Sequence, residues 1–188
     1  MRIPPVTPET MTAEQKRVYD AVVAGPRGKV QGPLLALMHV PELADRAQKL
    51  GEYVRYRTGF APKLNELAIL VTARGCNSQV EWSIHAPIAR KAGLATSIVD
   101  DIARGRLPAA VDADERAIHD FAREMVERKT VSDPAYQAVL HRWGIRGVVE
   151  LSALIGYYTL VAMTLNAHEI PLPAGVEASL PELQTSRR

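Results

Sequence analysis

The chain has 188 residues, with 23 Lys and Arg against 21 Asp and Glu, a net charge of +2, 47% hydrophobic and 23% charged residues. That balance suits one globular domain able to bury a core without disulfides or metals as staples, and the scattered basic residues exclude a nucleic-acid footprint. Cys76 is the only cysteine, which excludes an intramolecular disulfide and a dithiol redox cycle within one chain.

Residues 1–11 hold three prolines and no period, and read as an extended N-terminal arm. Residues 12–175 read as one helical domain and 176–188 as a polar tail ending in Arg187 and Arg188. Thr12, with Gln15 three residues on, forms a capping-box pattern and predicts a helix to about Val23. The Gly25–Gly32 loop is expected to be mobile. It or the arm is a candidate lid. Pro33 to His39 reads as a short apolar helix. Pro41 can open the next one, which carries Leu43, Ala47, Leu50 and Val54 at helical spacing and should stop near Gly59.

Pro62 starts a helix with Leu64, Leu67, Ala68, Leu70 and Val71 on its buried side, ending around Arg74-Gly75. Asn77 or Ser78 begins another, through Glu81, His85, Ile88 and Ala92, with Pro87 a possible kink inside it and Gly93 its C-terminal stop. Thr96 to Ala103 is a short helix. Asp112 caps a helix from about Asp114 to Arg128, with Ala117, Ile118, Phe121, Ala122 and Met125 as its core stripe. Ser132-Asp133-Pro134 is a start signal and Gly144 a stop. Arg146 to Asn166 is almost wholly apolar, so it should lie in the centre of a bundle or in a subunit interface. No strand period appears. The fold class is all-α, a bundle of about eight helices. No apolar stretch reaches the length of a membrane span, and the N-terminus lacks a signal-peptide pattern. Both predict a cytoplasmic protein.

The chemistry concentrates in Glu66-Leu-Ala-Ile-Leu-Val-Thr-Ala-Arg-Gly-Cys-Asn-Ser78-Gln-Val-Glu81-Trp82-Ser-Ile-His85. Ser78, Glu81 and His85 are three and four apart and share one helical stripe. Glu81 can therefore reach His85, while Ser78 sits at the helix N-terminus, where negative charge is favoured. If the two helices pack antiparallel, Glu66 can face the stripe. A Glu–His pair is a proton-transfer device, and a second carboxyl in an apolar pocket would stay protonated. Trp82 and Leu70 would line the pocket, and Arg74 could hold a substrate carboxylate. An i, i+4 Glu–His pair is also a common surface feature worth a few tenths of a kcal/mol.

These residues resemble the signature of the carboxymuconolactone decarboxylase family, which includes the alkyl hydroperoxidase D proteins. The resemblance spans roughly residues 10–175. It is carried by Asn65-Glu66-Leu-Ala-Ile-Leu, by Glu81-Trp82-Ser-Ile-His85-Ala-Pro-Ile-Ala-Arg-Lys-Ala-Gly-Leu, and by Glu150-Leu-Ser-Ala-Leu-Ile-Gly-Tyr-Tyr-Thr-Leu with Asn166-Ala beyond. In the peroxidase-like branch the motif is a Glu followed by Cys-x-x-Cys-x-x-x-His. Here the Glu and His would be Glu66 and His85, but Ser78 and Glu81 stand at the cysteine positions. The Glu81-Trp82-x-x-His85 form looks like the decarboxylase branch, which implies a cofactor-free lyase acting on small carboxylated lactones such as 4-carboxymuconolactone. It also implies a ring-like homo-oligomer, a trimer or hexamer. The expected roles are His85 as acid–base, oriented by Glu81, Glu66 as second acid–base or relay, and Ser78 as hydrogen-bond donor to the substrate. The alternatives are an isomerase, a redox protein using Cys76 alone, a metal site of Glu66, Glu81 and His85, and a family member without activity. The metal reading is weaker because Glu-x-x-x-His differs from di-iron spacing.

Overall fold

Thr12 opens the first helix as its capping box predicts. Its hydroxyl accepts from Gln15 N at 3.2 Å, and its own N–H donates to Gln15 Oε1 at 2.9 Å. The computed structural model describes residues 1–109 and 111–182. Among them it places eight helices and no strand: α1 Ala13–Ala24, α2 Leu34–Leu37, α3 Pro41–Tyr56, α4 Pro62–Gly75, α5 Gln79–Lys91, α6 Thr96–Ala103, α7 Ala113–Arg128 and α8 Asp133–Ala167. Asp112 starts α7 through a second reciprocal capping box with Glu115. Gly144 interrupts α8 at φ 66°, a left-handed conformation that glycine adopts without strain. The stop signal thus breaks the helical path while hydrogen bonding continues on either side.

The packing has two parts. Val18, Val22, Leu34, Leu37, Met38, Ala44 and Ala47 form a small core among α1, α2 and α3. The main core is built around α4, which packs against α5, α6, α7 and α8. Every residue from Leu64 to Arg74 is buried. Of the two places expected for the 146–166 helix, the centre of a bundle or a subunit interface, the bundle centre is taken by another helix. The central helix is α4, and α8 keeps one apolar face outside, with Ile145 73%, Val149 61% and Met163 61% exposed. By length and composition α8 could cross a membrane (mean hydropathy 1.6 over its best window), yet 56% of that window is buried inside this fold. It serves as a core helix on its other face.

The termini fold back onto the bundle. Arg2 N donates to His168 O at 2.9 Å, which anchors the arm at the end of α8. Residues 176–182, the start of the polar tail, pack against the bundle. Leu180 is buried in the main core, and Ser179 N donates to Ser83 Oγ at 3.3 Å. Arg187 and Arg188 lie outside the described residues.

Candidate functional site

The site forms where α4 turns into α5. Helix α4 ends at Gly75, Asn77 takes a left-handed φ of 52°, and Ser78 N-caps α5. Asparagine tolerates that conformation because its short side chain bonds locally, and here Asn77 Oδ1 accepts from Arg74 Nη2 at 2.6 Å. Asn166 Nδ2 donates to Cys76 O at 3.0 Å, which ties the turn to α8. The two helices then pack side by side and bring Glu66 to His85.

The contact is direct: His85 Nδ1 lies 2.8 Å from Glu66 Oε2, with both side chains buried. With Glu66 ionised, Nδ1–H donates to it, so the carboxylate sets the tautomer and leaves Nε2 available. Tyr158 from α8 packs edge-on against the imidazole, with centroids 5.2 Å apart. The sequence reading paired His85 with Glu81 instead. That pairing is corrected, because Glu81 is only 2% exposed and neither of its carboxyl oxygens has a hydrogen-bond partner. Burial pushes the Glu81 carboxyl well above the usual carboxylate range. Burial thus favours its neutral form, while Glu66 takes the orienting place.

The Glu66–His85 pair sits between two hollows. The inner one, about 50 Å³, is lined by Glu81, His85, Tyr157 and Tyr158, by Arg55 of α3, and by Arg27 and Gln31 of the 25–32 loop. The outer one, about 290 Å³, is lined by Glu66, Arg55, Thr58, Phe60, Asn65 and Ile88. Glu66 thus borders one hollow and His85 the other.

Four other expected residues do not line these hollows. Trp82 and Leu70 are packed in the main core. Ser78 is fully buried, and its Oγ has no hydrogen-bond partner. Arg74 spends its guanidinium elsewhere, donating to Ala103 O at 3.2 Å and Pro181 O at 2.7 Å as well as to Asn77. It clamps the tail and the end of α6. Spacing on one helix could not reveal this, because its acceptors come from other segments. Arg27, Arg55 and Tyr158 were missed for the same reason, although Tyr158 lies in the motif the family resemblance quoted.

Cys76 is half-buried. Burial first, and the neighbouring Glu81 carboxyl second, push its thiol up, the reverse of what an attacking thiolate needs. Among the described residues no three His, Cys, Asp or Glu side chains converge closely enough to hold a metal ion.

No family model matches the sequence, and no curated protein matches it. Solved structures do match. An uncharacterized peroxidase-related protein from Ralstonia eutropha JMP134, described as an alkylhydroperoxidase AhpD core, gives a TM-score of 0.76 at 17% identity, covering 92% of each chain. An uncharacterized peroxidase-related protein from Silicibacter sp. TM1040 gives 0.74 at 14%, covering 96% of this chain and 95% of its own. A cysteine-to-alanine variant of the debrominase Bmp8, in complex with 2,3,4-tribromopyrrole, gives 0.72 at 13%, covering 93% and 92%. At these identities the likeness establishes the fold: the chain has the all-helical architecture of the AhpD core.

Proposed function

We propose that the chain is a cofactor-free acid–base enzyme, a decarboxylase or isomerase of a small carboxylated lactone or related acid. The observation that carries this reading is the buried 2.8 Å contact of His85 Nδ1 with Glu66, at the wall of a hollow that also holds Glu81. His85 and Glu81 both line that hollow. Glu66 supports a base at His85 Nε2, and Glu81 is an acid with a proton to give.

In isomerisation, Nε2 takes a proton from the carbon next to the substrate carbonyl. The electron pair passes into an enolate, and Glu81 returns a proton at another carbon. In decarboxylation, the bond to the departing CO₂ breaks, its electrons enter the enolate, and Glu81 or protonated His85 delivers the proton that ends the step. Glu66 stabilises the imidazolium wherever His85 holds the proton, and exchange with solvent returns His85 and Glu81 to their starting states. With no hydrogen-bond partner on either oxygen, buried Glu81 favours the form that keeps its proton, which supports its assignment as the proton donor.

Replacing His85 by Gln tests this directly. Decarboxylation of 4-carboxymuconolactone, or isomerisation of a related lactone acid, should fall by at least about a hundredfold. Cys76→Ser should stay within a few-fold. A His85→Gln enzyme as active as wild type, or a loss confined to Cys76→Ser, would refute the reading in favour of none or of the lone-thiol alternative.

The exposed apolar face of α8, with Ile145, Val149, Leu160 and Met163, supports a homo-oligomer in which a second copy covers it. The trimer or hexamer implied by the family resemblance, and a cytoplasmic location, belong to the same proposal.

A further inference from the structure

We infer that Arg27 and Arg55 form an anion subsite at the mouth of the inner hollow, seating the carboxylate of the substrate, and that the loop carrying Arg27 is the part that opens to admit it. This rests on the acid–base reading for what happens next to that carboxylate, but not for the binding itself.

The first observation is unspent charge. Most arginines here sit against a carboxylate, including the neighbours Arg46 on Glu42 and Arg57 on Glu52. Arg27 and Arg55 have no carboxylate within ion-pair distance among the described residues. Arg55 lies over the Tyr56 ring, 5.2 Å from its centroid, a contact that holds a guanidinium without neutralising it. Arg27 Nη2 donates to Tyr157 Oη at 3.2 Å, while its Nε is buried with no acceptor. A buried guanidinium N–H without a partner is costly. A carboxylate in the hollow supplies the missing acceptor, and the Tyr157 hydroxyl, already accepting from Arg27, keeps its own proton free to donate.

The second observation is that the seat is built. Gly51 lies inside α3, where glycine is unfavourable by roughly 1 kcal/mol relative to alanine. A Cβ at Gly51 would fall 2.1 Å from Tyr157 Oη and 2.3 Å from Arg27 Nη2. The missing side chain is the room in which these two groups meet.

The third is size. A hollow of about 50 Å³ takes a few waters or one carboxylate group. The rest of a substrate extends past the lining of the hollow, where Arg27, Gln31 and Gly32 stand from the loop. Loop opening with Arg27 riding on the ligand couples recognition to access.

Calorimetric titration with sodium benzoate, benzamide and inorganic phosphate at matched ionic strength tests this without any turnover. Wild type should bind benzoate saturably and more tightly than either other probe. Arg27→Gln and Arg55→Gln should each weaken benzoate about tenfold or more, and Tyr157→Phe by a few-fold. His85→Gln should keep benzoate affinity within a few-fold, so that a failed acid–base reading and a failed subsite remain distinguishable. Benzoate binding that is absent, matched by benzamide or phosphate, or unchanged in both folded arginine variants would overturn the proposal.

Discussion

Two buried glutamates on neighbouring helices have opposite surroundings. Glu150 of α8 is 5% exposed and Glu81 of α5 is 2% exposed. Glu150 accepts from Tyr53 Oη at 2.7 Å, Gly59 N at 2.8 Å and Arg146 Nε at 2.8 Å. Burial pushes its carboxyl up, but the Gly59 N–H, Arg146 and Tyr53 outweigh burial and hold it below its ordinary value. Glu81 has no partner, and burial alone sets its state. The same residue type is a structural tie in one place and a stored proton in the other, and the number of donors around it decides which.

This contrast makes opposite predictions for pH. Folded Glu81 keeps its proton where the unfolded chain has lost it, so its contribution to stability falls as pH rises above about 4.5, the ordinary glutamate value. The slope is about 1.4 kcal/mol per pH unit until the folded group ionises. Glu81→Gln should therefore be more stable than wild type at neutral pH, with a gain that grows with pH and disappears in acid. Chemical denaturation across pH checks this, and a gain independent of pH would break the contrast. Folded Glu150 releases its proton earlier than the unfolded chain, so its stabilisation is present at neutral pH and fades as pH falls through the acid range. Glu150→Ala should cost about 2 kcal/mol at neutral pH, because the Tyr53 and Gly59 donors lose their acceptor, and the cost should shrink on acidification. A neutral-pH loss below about 0.5 kcal/mol would show that the tie is ornamental.

Much of the scaffold was legible from local chemistry. The Thr12 and Asp112 caps, the prolines at the starts of α3 and α4, and Gly144 each act within a turn of their own position. That Glu66 could face the stripe of His85 was legible as well, since it needed only that α4 and α5 pack side by side. Which carboxylate would hold the imidazole was not. Glu81 lies one turn from His85 on the same helix, but Glu66 reaches the imidazole from α4 and Tyr158 packs on it from α8. Arg74 misled for a related reason, since its acceptors lie on Ala103 and Pro181, far along the chain. Arg27 gave no signal at all in a Gly- and Pro-rich loop. Its significance comes from Gly51 and Tyr157, which only the folded chain assembles.

The central claim is that Glu81 carries a proton at neutral pH inside the hollow it shares with His85. Infrared difference spectroscopy of wild type against Glu81→Gln measures that proton directly. The account predicts a protonated carboxyl band at neutral pH that the variant lacks. A wild-type spectrum in which Glu81 contributes only an ionised carboxylate band would contradict it.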